Sequence, residues 1–309
     1  MTPSATYPLR IGTRSSPLAM AQAEMTKAAL LAAHGWDEAA VLLVPMLASG
    51  DKIQDRPLAE IGGKALWTKE LERALIEREV DIAVHSMKDV ETIRPDVFRI
   101  AAMLPRADTR DRLIGAESIA ALPKGARVGT SSPRRAAQLK ALRTDIVTAT
   151  IRGNVATRLA RLANGEFDAT LLAAAGLNRL GQSDVGHPIA KSEMLPAASQ
   201  GAIGIDCLSE RFEVAELLTP INHQPTFDCV MAERVFLAAL GGTCRSPVAA
   251  QAEWSGDALL LKGEILREDG SERQQGETTC APGDGKAPAE LARKLLATAS
   301  PELQALFEG

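Results

Sequence analysis

Aromatic side chains make up only 3% of the 309 residues, which argues against surfaces that stack the bases of single-stranded nucleic acid. Cysteine is sparse as well. Cys207, Cys229, Cys244 and Cys280 lie far apart and form no C-x-x-C pair, so neither a disulfide framework nor a zinc site is expected, and a reducing cytoplasm fits. His34, His85, His187 and His223 are scattered, without metal-ligand spacing. Met1 to Pro8 has no charged segment followed by an apolar stretch, and no apolar run is long enough to span a bilayer; no signal peptide and no membrane contact are expected. A large charge of either sign is missing too. The formal net charge of -4 gives no general attraction to nucleic acid or anionic membrane, so any basic site must be local. What remains is ordinary for a soluble globular protein, 46% apolar and 24% charged, with length for two or three domains.

One stretch organises the rest. Val80 to Val84 reads as a short buried strand that runs into His85-Ser86-Met87-Lys88-Asp89. Ligands of open α/β sheets bind beyond the carboxyl ends of strands. Lys88 and Asp89 there could bind an anionic group and handle charge or a proton; they could equally be a surface pair capping a turn.

Upstream, Leu9 to Gly12 is a predicted strand, followed by a helix capped by Ser16 with Pro17 as its first residue and ending near His34-Gly35. Val41 to Val44 is the next strand. Ala48 to Ala65, polar and glycine-rich, reads as a loop that is either a lid or simply disordered. A helix is expected over Thr68 to Glu79, and a strand over Arg99 to Met103. After Pro105 the pattern restarts. Gly12-Thr13-Arg14-Ser15-Ser16-Pro17 is echoed by Gly129-Thr130-Ser131-Ser132-Pro133, each with a Gln six residues after the cap, at Gln22 and Gln138. Glu79-Val80-Asp81-Ile82-Ala83 is echoed by Glu166-Phe167-Asp168-Ala169-Thr170. Two α/β domains of related topology follow. Each helix start directs N–H groups, hydroxyls and a partial positive charge at one spot, either an anion site or merely a well-capped helix. Arg14, Arg134 and Arg135 favour the anion site, because cations oppose the dipole unless an anion sits between.

Thr148 to Ile151 reads as a strand, with Arg152 and Gly153 at its end and Arg158 on the helix from Val155 to Ala163. Gly176 to Ala190 reads as a patternless loop. Ala202 to Ile205, after Gln200-Gly201, reads as a further strand of the first sheet. The crossings would be Pro105 to Arg110 and Pro196 to Gln200. A helix from Thr226 to Leu240, a hairpin of Val248 to Trp254 with Ala258 to Leu266, an edge strand at Thr278 to Ala281 and a helix from Ala289 to Ala299 make a small α+β domain. The domains are expected at 1–104 with 202–220, 105–201 and 221–309. Cys207 and Cys229 read as core and Cys280 as surface or edge. Cys244, in a Gly-Gly-Thr loop before Arg245, is either a reactive thiol or an inert one.

Four stretches carry a resemblance: Val84-His85-Ser86-Met87-Lys88-Asp89-Val90, Val128-Gly129-Thr130-Ser131-Ser132-Pro133-Arg134-Arg135, Ile151-Arg152-Gly153-Asn154-Val155 and Gly241-Gly242-Thr243-Cys244. In this order they resemble the porphobilinogen deaminase (hydroxymethylbilane synthase) family over nearly the whole chain. The resemblance implies two type II periplasmic-binding-protein-like α/β domains plus a small C-terminal α+β domain. It implies a transferase that deaminates and joins four porphobilinogen units on a dipyrromethane cofactor, held by a thioether to Cys244, and releases a linear tetrapyrrole. Asp89 would be the catalytic carboxylate. Arg14, Ser16, Lys64, Ser86, Lys88, Thr130, Ser131, Ser132, Arg134, Arg135, Arg152, Gly153, Arg158 and Gln200 would bind cofactor or substrate, with Lys64 in the lid. A cytoplasmic monomer is implied. Three departures stand out: Glu91 where Pro is usual, Trp67 where Phe is common, and Ala198-Ser199 in place of Val-Gly. The competing expectation is a non-catalytic two-lobed anion-binding protein, which leaves Cys244 and the third domain unexplained.

Overall fold

A computed structural model describes residues 3–47, 68–242 and 246–307. The chain divides into two compact units, Met1–Arg106 with Ala202–Phe227, and Ala107–Gly201 with Asp228–Gly309. The expected lid, Lys64, Trp67 and Cys244 lie outside the described residues.

The first unit is a five-stranded sheet. Its strands are β1 (Leu9–Arg14), β2 (Val41–Met46), β3 (Ile82–Ser86), β4 (Phe98–Met103) and, from after the second crossing, β10 (Ile203–Leu208), in the order β2-β1-β3-β10-β4. β1 runs parallel to β2 and β3, whereas β10 is antiparallel to β3 and β4. The two-residue period of a strand separates the faces of β3. Ile82 and Val84 join Leu30, Ile203 and Ile205 in one core, while Ala83 joins Leu71, Ala74 and Leu75 in another. The first core lies under helix Pro17–His34, the second under helix Lys69–Ile76. Each fully buried Ile or Leu contributes about 1.5–3 kcal/mol.

In the second unit the same plan recurs. β5 (Asp111–Ile114), β6 (Arg127–Gly129), β7 (Val147–Ala149), β8 (Ala169–Ala173) and β9 (His187–Pro188) order as β7-β6-β8-β5-β9, with β6 parallel to β7 and β8, and β5 antiparallel to β8 and β9. The same unit holds a smaller antiparallel sheet of β11 (Val248–Ser255), β12 (Ala258–Leu266) and β13 (Arg273–Cys280). Helices Gln224–Ala239 and Lys286–Thr298 supply core residues to it, including Phe236 and Leu291. The expected fold class is therefore observed: two α/β sheet domains and a small C-terminal α+β sheet domain.

The sequence echo is physical. Asp81 accepts a hydrogen bond from the Arg10 backbone N–H at 2.9 Å, and Asp168 accepts one from the Arg127 backbone N–H at 2.7 Å. The same pairs are joined in reverse, Asp81 N–H and Asp168 N–H each donating to the opposite carbonyl at 2.9 Å. Each aspartate thus fastens the strand after it to the parallel strand beside it, β1 in the first domain and β6 in the second.

Several expected elements differ. The anchor strand begins at Ile82 rather than Val80, because Asp81 is occupied by Arg10. The helix after the lid segment stops at Ile76, and Arg78 turns left-handed at φ 56°. Gly176 to Ala190 is not patternless: helix Ala174–Arg179 and β9 lie in or across it. The strand expected at Thr278 begins at Arg273 and pairs residue for residue with β12. That register turns Cys280 inward, 4% exposed among the C-terminal core residues, not onto the surface. Strand β5 and helix Phe212–Leu218 were not anticipated.

Candidate active site

The first helix start is built as its sequence dictates. Ser16 accepts a hydrogen bond from the Ala19 N–H at 3.4 Å, Pro17 opens the helix, and Gly35 closes it at φ 65°. Arg14 ends β1. At the end of β3, Ser86 lies on the Ile82–Val84 face and Gln22 comes down from the helix to meet it. The Gln22 amide N–H donates to Ser86 Oγ at 2.7 Å. A single 3-10 turn, Met87–Asp89, then carries Lys88 and Asp89. The Met87 N–H donates to the Ala202 carbonyl at 3.1 Å, and a Cβ at Gly204 would collide with Met87 Sδ. Only glycine on β10 lets that turn sit so low.

Around this turn lies a pocket lined by Arg14, Ser16, Gln22, His85, Ser86 and Asp89 among others. It offers a guanidinium, two hydroxyls, an amide and a carboxylate beside a helix N-terminus, so it can take an anionic arm of a ligand and face a carboxylate towards a developing cation. Gln22 and His85 were absent from the expected site. The signal for Gln22 was present, since both echoes place a glutamine six residues after the cap.

Beneath the pocket, on the other face of β3, is a buried charge cluster. Arg94 donates to Glu72 Oε1 at 2.5 Å and Asp206 Oδ2 at 2.7 Å, and stands 3.8 Å from Glu91 Oε2. The guanidinium also lies 4.9 Å over the Phe98 ring. Glu91, the departure beside Asp89, thus has a cation of its own. His85 Nε2 is 3.6 Å from Asp206 Oδ2. Burial pushes the His85 imidazole below its usual value; Asp206 opposes that shift and Arg94 adds to it.

The second helix start, in the other unit, keeps the motif in different surroundings. Ser132 caps helix Pro133–Leu142 by accepting from Arg135 N–H at 3.4 Å, Ser131 Oγ donates to the Ile151 carbonyl, and Thr130 Oγ1 accepts from Ser132 N–H at 3.1 Å. Arg134 and Arg135 are only 3% and 6% exposed. Each donates at 2.7 Å to a different oxygen of Asp111. Gln200 donates to Asp111 Oδ1 at 2.8 Å and to the Thr109 carbonyl at 2.7 Å. The arginines do have an anion, and it belongs to the protein. Burial alone would raise the Asp111 carboxyl; the two guanidiniums overcome it and hold the group well below the usual carboxylate range. Gln138 extends the network, accepting from Arg134 at 2.9 Å and donating to Glu264 of β12 at 3.3 Å.

The remaining expected residues follow β7. Gly153 has φ 106°, and a Cβ there would fall 2.6 Å from Thr157, so the turn requires glycine. Arg158 Nε donates back to the Gly153 carbonyl at 2.9 Å. Arg152, beside this turn, is half-buried. Arg179 was not anticipated; it donates to the Gly201 carbonyl at 2.7 Å, and burial lowers its pKa to about 10. Ser199, one of the departures, holds φ 65°, with its N–H donated to the buried Glu233 at 2.6 Å. Among the described residues no group of His, Cys, Asp and Glu could hold a metal ion, and no helix is long and apolar enough to cross a membrane.

Residues 9–216 match the family model described as "Porphobilinogen deaminase, dipyromethane cofactor binding domain", and residues 227–300 match "Porphobilinogen deaminase, C-terminal domain". The chain is 58% identical over 306 residues to the porphobilinogen deaminase of Sphingopyxis alaskensis, covering 97% of this chain and 96% of that one. It is 49% identical over 288 residues to the porphobilinogen deaminase of Paracoccus denitrificans, covering 92% of each. With both the sheet domains and the C-terminal domain matched, and relatives this similar along almost their full length, the chain belongs to the porphobilinogen deaminase family.

Proposed function

We propose that the chain deaminates porphobilinogen and joins four units head to tail on a dipyrromethane primer bound through a thioether to Cys244, releasing hydroxymethylbilane for tetrapyrrole synthesis. The observation that carries this reading is the pocket at the end of β3, where Asp89 faces the same space as Arg14, Ser16 and Ser86. Porphobilinogen carries an acetate and a propionate, so each added unit brings two more carboxylates. The donor set suits such a ligand: Arg14 and Lys88 close to Asp89, and Arg152 and Arg158 on the second sheet domain, are forks and points of positive charge. Thr130, Ser131, Ser132 and the Gly153 turn would add hydrogen bonds to carboxylate arms. The bound primer supplies a pyrrole carbon for the first coupling, and its tether keeps the partners at high effective concentration.

Asp89 does the electrostatic work. When ammonia leaves porphobilinogen, positive charge develops on the substrate pyrrole. A fixed carboxylate accepting the pyrrole N–H stabilises that charge and then assists removal of the surplus proton. Ser86, held by Gln22, fixes one wall. Arg134, Arg135 and Gln200 support the site by ordering Asp111 and the chain crossing, and reach a ligand only if Asp111 yields. The reading keeps the domains at 1–104 with 202–220, 105–201 and 221–309. A net charge of -4 supports a protein that engages neither nucleic acid nor membrane, and a cytoplasmic monomer fits the reading.

Asp89→Asn tests it. Turnover should fall by about 10²–10⁴-fold, with the urea midpoint close to that of the unaltered protein. Activity retained in the variant would remove Asp89 from the chemistry. Intact mass should exceed the sequence mass by one dipyrromethane, and the excess should disappear in Cys244→Ser.

A further inference from the structure

Asp89 is not the only titratable group in its pocket. His85 lines the same space, 7% exposed, on the face of β3 opposite Ser86. Were its imidazole protonated, the pocket would hold an internal cation beside Asp89. It would compete with the substrate cation for that carboxylate. The surroundings of His85 invite protonation at first sight. Asp206 on β10 is 3.6 Å away, and Glu72 of helix Lys69–Ile76 and Asp89 of the following turn both favour the charged form. Glu91 adds a fourth acid to the neighbourhood, and Arg14 faces the pocket from β1.

Arg94 changes this balance by geometry. Its two terminal nitrogens divide between Glu72 and Asp206, and Glu91 lies on the same side. The bonded Asp206 oxygen is the one nearest His85. Asp206 is completely buried and Arg94 nearly so, and Arg94 keeps its plane over Phe98. The carboxylates that would charge the imidazole therefore already have a cation, and that cation itself stands near the ring. His85 Nε2, buried, has no hydrogen-bond partner among the described residues.

We propose that Arg94 is a positioning residue for the coupling reaction: by occupying Asp206 and Glu72 it keeps His85 a neutral wall of the pocket, so that the charge of Asp89 is left for the substrate. This rests on the reading of Asp89 given above, and it adds what that reading omits, the device that prevents Asp89 from being neutralised from within. The depressed basicity of His85, set first by burial with Arg94 adding to it, agrees in direction.

The test is a proton NMR titration of the holoenzyme's imidazoles between about pH 5.5 and 8, with His85 assigned by its loss in His85→Gln. His85 should not titrate in the unaltered protein. In Arg94→Gln its midpoint should rise by about one unit or more. The pH profile of kcat/KM should then gain an acid limb at that midpoint, with activity lost as the imidazole charges. Arg94→Lys should restore the original profile, and Arg94→Gln combined with His85→Gln should remove the new limb. An ordinary titration of His85 in the unaltered protein overturns the proposal, and needs no variant of Arg94 to fold. A folded Arg94→Gln with His85 and the pH profile unmoved overturns it as well. Activity surviving Asp89→Asn would sink the catalytic reading while leaving the His85 titration as it was, so the two failures are separable.

Discussion

The two sheet domains start their first helices with nearly the same words and surround them differently. In the first, Ser16 and Arg14 border an open pocket with Gln22, Ser86 and Asp89. In the second, the arginines after Ser132 turn inward and bind Asp111 with both forks, while Gln138 spans from Arg134 to Glu264. A capped helix preceded by a glycine turn fixes where donors converge. It does not decide who supplies the acceptor. In the second domain β5 supplies it, through Asp111.

The largest effect that would break this contrast is on stability. Asp111→Asn leaves two buried guanidiniums short of their shared carboxylate and should destabilise the protein by about 3–5 kcal/mol, read from urea unfolding. Asp89→Asn, in the open pocket, should change that curve little. A small loss in Asp111→Asn would mean that the second site is as open as the first. The difference should also depend on pH in one direction. Asp111 is held below the usual carboxylate range, so its contribution is fully present above the unfolded value of about 3.9. It is lost as pH falls through the folded value. The gap between the unaltered protein and Asp111→Asn should therefore be widest near neutrality and close in strong acid.

Ser16→Ala and Ser132→Ala sharpen the comparison at smaller scale. Both serines are caps, so each change should cost about 1 kcal/mol of stability, and, with both hydroxyls assigned to carboxylate arms of the ligand, each should also raise KM. A KM unmoved in either variant would remove that serine from the binding site. The smallest effect lies at the chain crossing. Ser199 occupies a left-handed conformation that disfavours a Cβ. Ser199→Gly should stabilise by about 0.5–1 kcal/mol after the extra flexibility of glycine is subtracted, seen as a shift in urea midpoint.

What could be read in the sequence was what local chemistry determines. The Ser16 and Ser132 caps and the Gly35 closure depend on residues within a few positions of each other. The echo of Asp81 by Asp168 was legible as a pattern, and its meaning, a carboxylate fastened to a strand-end amide, appeared only with coordinates. Asp111 was not legible. It sits next to a segment that reads as a hinge, and its partners Arg134 and Arg135 reach it through strand pairing that no periodicity announces. Cys280 shows the same limit: its burial follows from a register with Leu259 across the sheet, not from its neighbours in sequence. Arg94 carried no signal in the sequence, because the acids that hold it come from residues 72 and 206.

The place of β10, between β3 and β4, has a consequence for biosynthesis. About 100 residues separate the end of β4 at Met103 from the start of β10 at Ile203. At about 5–20 residues per second on the ribosome, the nascent first sheet waits roughly 5–20 s for its inner strand. During that interval the facing edges of β3 and β4 have no neighbour from this chain, and such edges are where chaperones are needed.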